Sequence, residues 1–102
     1  MTWAYLLVFN ERVGTRGQVQ DFLNSIPEVT YWYGCMPSAV FLTSTLAAGQ
    51  ISDKLKERFG TQGGQRWFVT EVHHDRQGWM PKQAWHMLKN PTQPRLPNGD
   101  AS

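Results

Sequence analysis

Val29-Thr30-Tyr31-Trp32-Tyr33, then Gly34-Cys35-Met36-Pro37-Ser38, then Ala39-Val40-Phe41-Leu42-Thr43-Ser44 is the stretch that decides the fold. Two runs of branched and aromatic residues flank a short segment carrying Gly and Pro, which predicts a β-hairpin with its loop over residues 34–38. So short a loop makes the two strands antiparallel neighbours. Upstream, Thr15-Arg16-Gly17-Gln18 has the spacing of a capping box. Val19, Phe22, Leu23 and Ile26 follow at helical spacing until Pro27 stops them. Before that helix, Trp3 to Phe9 reads as a first strand. Downstream, Ser44 or Thr45 is placed to cap a second helix with a buried stripe of Ala48, Ile51, Leu55 and Phe59, and Gly60 offers a left-handed exit. Residues 66–72 then form a fourth strand. The order β-α-β-β-α-β predicts an α+β, ferredoxin-like sandwich with two helices on one face of a four-stranded antiparallel sheet. Pro81 opens a short further helix, Lys82 to Lys89, with Ala84, Trp85 and Leu88 on one side. Residues 1–89 thus read as one domain. Residues 90–102, with Pro91, Pro94, Pro97 and Gly99, read as a disordered tail.

At 102 residues the chain has room for one domain with a real core. A net charge of +2 is far below the footprint of a strong nucleic-acid binder. The single cysteine, Cys35, excludes an internal disulfide framework. The apolar start has no basic leader and stops at Asn10-Glu11-Arg12, so a buried strand, no membrane span and a cytoplasmic location are expected. His73, His74, Asp75 and His86 are the one group resembling metal ligands, yet adjacent histidines on an extended segment point to opposite sides. Gly60, Gly63 and Gly64 lack the Lys-Ser/Thr of a phosphate loop, and the carboxylates are scattered. No catalytic set, metal or cofactor is therefore expected.

Five Trp, five Phe and three Tyr are more than so small a core needs. The strands carry apolar residues on both parities, whereas a sheet with one wet face should alternate. The second face must be covered. The leading expectation is a second copy of the chain, making a non-catalytic homodimeric interaction module, with a protein partner also open. The dimer or binding face would comprise Trp3, Tyr5, Tyr31, Trp32, Phe41, Trp67, Trp79 and Trp85. The segment around Trp79 and Trp85 is a second candidate cover. A third is nucleic acid, stacked on the aromatics with Arg12, Arg16, Lys54 and Arg58 near phosphates. The third strand, with one aromatic and no basic residue, argues against an RNA-recognition sheet. A further alternative is a small dimeric enzyme with an apolar pocket between helices and sheet, using His73, His74 or Tyr33 as acid or base.

Tyr5-Leu6-Leu7-Val8-Phe9-Asn10 resembles the first strand of the small CRISPR-associated ferredoxin-like nucleases of the adaptation complex. Trp32-Tyr33, Val40-Phe41-Leu42-Thr43, Ala48-x-x-Ile51-x-Asp53-x-Leu55 and Gly78-Trp79-x-Pro81-x-x-Ala84-Trp85-x-x-Leu88 are similar to a group of small bacterial proteins labelled SinR-like. The likeness spans roughly residues 3–89. It implies a homodimer, often with the C-terminal segment of one subunit meeting the sheet of the other. The nuclease branch carries an Asp at the end of the first strand, where a dimer brings two carboxylates to one metal. Asn10 stands at that position here, and a neutral amide is a weak ligand for a hard divalent cation. The resemblance therefore implies a non-catalytic member, with weak metal-dependent nuclease activity as the alternative.

Overall fold

The computed structural model describes residues 1–73 and 75–92, apart from the Cys35 side chain. His74 and residues 93–102, where most of the expected tail falls, lie outside the described residues. The elements run β1 (Trp3–Phe9), α1 (Arg16–Asn24), β2 (Val29–Met36), β3 (Ala39–Ser44), α2 (Ala48–Phe59), β4 (Trp67–Glu71) and α3 (Lys82–Lys89). The fold is α+β, with an open four-stranded sheet in the order β2-β3-β1-β4 and every neighbouring pair antiparallel.

The first helix starts as its spacing predicts. Thr15 Oγ1 accepts from the Gln18 amide at 3.2 Å, and Gln18 Oε1 accepts from the Thr15 amide at 2.8 Å. The second helix differs. Its N-cap is Ala47, which has no side-chain acceptor, and the Gln50 side chain accepts from the Ala47 amide at 2.8 Å. Ser44, expected as a cap, ends β3 and accepts from the Leu46 amide at 3.0 Å. Gly60 does close α2 at φ 80°, its amide donating to Lys56 O at 2.9 Å. The hairpin is also tighter than expected. Strand β2 runs on to Met36, which pairs with Ala39 across Pro37-Ser38; register shifts leave Thr30 unopposed and set Gly34 and Cys35 against Val40 alone. Bulges of this kind change which side of a strand faces the core.

Two apolar clusters lie on opposite faces of the sheet. On one, Tyr5, Leu7 and Phe9 of β1 and Val40 and Leu42 of β3 meet Val19, Phe22 and Leu23 of α1 and Ile51 and Leu55 of α2. On the other, Ala4 of β1 and Phe41 of β3 meet Ala84, Met87 and Leu88 of α3, with Leu6, Tyr31, Tyr33, Val72, Met80 and Trp85 packed around them. Helix α3 thus covers part of the second face from within the chain. It presents Met87 as well as Ala84 and Leu88, and Asn90 ends it by donating its amide to His86 O at 2.9 Å.

Candidate interaction face

The eight aromatics expected on one face divide between two. Successive side chains on a strand alternate sides, so Trp3 and Tyr5 share the side of Leu7 and Phe9, under α1 and α2. The Tyr5 hydroxyl donates to Leu46 O at 2.7 Å. Trp32 and Trp67 also pack on the helix side. Their indole N–H groups reach the helices: Trp32 Nε1 donates to Asn24 Oδ1 of α1 at 2.7 Å, and Trp67 Nε1 donates to Ser52 Oγ of α2 at 2.9 Å. Each edge strand thus carries a tryptophan that fastens one helix, which puts part of the aromatic surplus to structural use. The expectation that these four residues lie on the face away from the helices is corrected by strand parity. Tyr31, Phe41 and Trp85 do belong to the second face, and Trp79 is fully exposed.

What that second face leaves open is a row that parity reveals and residue size does not. Phe68 of β4 is directly opposite Val8 of β1, Val8 is opposite Ala39 of β3, and Ala39 is opposite Met36 of β2. The row crosses all four strands, three inter-strand spacings or about 14 Å. Phe68 is 65% exposed, Val8 40% and Met36 39%. Scattered apolar residues on a surface need no explanation, but a continuous line beside a covered apolar cluster does. The sequence reading overlooked Val8, Met36 and Phe68. The signal was the alternation of β1, unreadable without knowing which parity the helices take.

The basic residues do not converge. Arg12 lies in the turn after β1 and Arg16 opens α1, where Arg16 Nη1 donates to Gly34 O at 3.4 Å. Lys54 and Arg58 flank the other end of α1 in a hollow of about 310 Å³ shared with Phe22, Ile26 and Glu57. The Arg58 guanidinium also lies 5.8 Å from the Phe59 ring centroid. Helix α1, nine residues and about 13 Å long, runs between Arg16 at its start and this hollow at its end. The residues considered for acid–base work are likewise apart. Tyr33 lines a groove along β2 with Trp32, whereas His73 lines a hollow beside α3, its Nε2 3.9 Å from Glu71 Oε1.

Asn10 has a local structural task. Its side-chain N–H donates to Gly64 O at 3.1 Å and its Oδ1 accepts from the Arg66 amide at 3.1 Å. Its own amide donates to Arg66 O at 3.0 Å and its carbonyl accepts from Val13 at 3.1 Å. The side chain thereby ties the end of β1 to the start of β4, and it needs one donor and one acceptor. A carboxylate can accept from Arg66 but cannot donate to Gly64 O. Asn10→Asp and Asn10→Ala are each expected to lower stability by about 1–2 kcal/mol in urea unfolding, with the 63–66 loop gaining amide exchange. An Asp variant as stable as the wild type would show that the Gly64 contact contributes nothing.

Tyr5 has its pKa raised above the ordinary 10.0, first by burial and then by the charge of Glu71. A raised folded value means that the neutral phenol stabilises the fold fully below pH 10 and that this contribution fades as pH climbs through the folded pKa. Tyr5→Phe is expected to cost about 1 kcal/mol at neutral pH, through the lost bond to Leu46 O. It should also lose less stability than the wild type above pH 10. Parallel urea titrations across that range would check both, and identical alkaline losses would refute the assignment.

No family model, no curated protein and no solved structure matches this chain. Among the described residues there is no group of three or more potential metal-ligating side chains, and no helix is long and apolar enough to cross a membrane.

Proposed function

We propose that this chain is a non-catalytic interaction module of the ferredoxin-like arrangement that works as a homodimer. The observation that carries the reading is the Phe68–Val8–Ala39–Met36 row, open on the sheet face whose remainder is already under α3. Helix α3 shields the Ala4–Phe41 side of that face, so a partner needs to cover only the exposed strip. Two such strips facing each other across a two-fold axis would remove both from water, and two-fold symmetry is the commonest way for a chain to do so. The ferredoxin-like assignment is supported by a central β1 flanked on both sides by antiparallel neighbours, with α1 and α2 each following a strand onto the same face. A relationship to the SinR-like proteins is part of the same proposal and rests on the residues that resemble them. Against a nuclease, the Asn10 side chain is occupied by backbone groups, as a turn residue would be.

Multi-angle light scattering over a wide concentration range tests the reading. A mass of twice 11.7 kDa that falls on dilution is the expected result. A constant monomer mass up to high concentration would overturn it.

A further inference from the structure

We propose that the groove between the 76–80 segment and α3 binds a small amphipathic anion, a carboxylate on an aliphatic or aromatic body. The inference does not require the dimer, although Met36 at one end of the exposed row also lines the inner hollow. Two hollows adjoin here. The inner one, about 360 Å³, has Leu6, Phe41, Met80, Trp85 and Leu88 in its walls, and its described lining is apolar apart from Arg76, Gln77 and Gly78 at the rim. The outer one, about 530 Å³, shares that rim and adds Lys89. Both sizes fall in the range of small-molecule sites, which pair an apolar body with a few polar groups that orient the ligand.

The polar groups present are cationic. No acidic residue is among the described residues lining either hollow. Arg76 Nη1 donates to His73 O at 2.6 Å, which fixes the guanidinium at the rim and uses one of its five N–H donors. Among the described residues no carboxylate pairs with Arg76 or Lys89; Glu71 shares an adjoining hollow with both, and its ion pair there is with His73. Trp79 stands fully exposed at the same rim, an indole with its apolar area unspent. Unpaired cations over an apolar recess complement a charged head on an apolar tail. A neutral apolar ligand would make no use of the cations, and a polyanion would make no use of the recess.

Decanoate is a suitable probe, with decanol and decyltrimethylammonium as comparators of equal tail length. In calorimetric titration of the full chain, decanoate is expected to bind saturably and about tenfold more tightly than decanol. Tryptophan emission should move to shorter wavelength as Trp79 is covered, and Trp79→Phe should remove most of that shift. Arg76→Gln and Lys89→Gln should each weaken decanoate two- to fivefold and leave decanol unchanged. Lys89 is exposed and Arg76 half-buried at the rim, and circular dichroism would confirm that either variant is folded. Decanol or the ammonium binding as tightly as decanoate would overturn the proposal, as would an unchanged decanoate affinity in both charge variants or no saturable binding.

Discussion

Phe68→Asp is expected to turn a dimer into a monomer while the chain stays folded. Phe68 lies on edge strand β4, exposed over 65% of its surface, on the side of the sheet opposite α1 and α2. In the isolated chain its replacement removes little buried area and changes mainly strand propensity, a cost of about 1 kcal/mol or less. In the proposed dimer the same change brings two carboxylates, one per subunit, into a strip whose neighbours are Val8, Ala39 and Met36. Burying an unpaired charge costs several kcal/mol, so the dissociation constant should rise at least about a hundredfold. Sedimentation or light scattering of the variant beside the wild type reads the mass, and thermal unfolding reads the fold. Loss of the fold at a site so exposed would contradict the structure. An unchanged dimer mass would remove the row from the interface.

The opposite outcome is expected for Tyr5→Asp. Tyr5 of β1 is buried in the helix-side core, with its hydroxyl on Leu46 O and its pKa raised first by burial and then by the charge of Glu71. A carboxylate there loses the ring's contacts, cannot donate to Leu46 O and adds a second negative charge beside the first. Together these are worth about 4 kcal/mol or more, comparable to the whole stability of a domain this size. Urea unfolding should show a chain that is largely unfolded without denaturant. Trp67→Asp should behave similarly, because it removes the indole that fastens β4 to Ser52 of α2. The contrast with Phe68, the next residue along the same strand, is the most direct check of strand parity. A folded, merely monomeric Tyr5→Asp chain would mean that this side of β1 faces a partner after all.

Parity explains how much of the candidate site could be read beforehand. Choosing aromatics by size brought together Trp3, Tyr5, Trp32 and Trp67, which pack on the α1 and α2 side, with Tyr31 and Phe41, which pack in the cluster under α3, and Trp85 of α3 itself. In β1 both alternating sets are apolar, so hydrophobicity could not say which set the helices take. In β2 the extra residue at Thr30 sends Val29 and Trp32 to one face and Tyr31 and Tyr33 to the other. A bulge has no fixed residue signature, so that exchange was hidden. The row of Val8, Met36 and Phe68 was missed for the same reason, since it exists only as a line across four strands in register.

What the sequence determined by itself was local. The Thr15–Gln18 capping box, the 3.6-residue stripe of α1, the exit at Gly60 and the order of strands and helices all depend on residues a few positions apart. Backbone hydrogen bonding and side-chain spacing act over that range, so the pattern can be read in one dimension. The tertiary structure decided which side of each strand is which, that α3 covers part of the second face, and that Asn10 clamps Gly64 and Arg66 more than fifty residues away. These outcomes depend on register and on packing between distant segments, where one residue of slip exchanges core for surface.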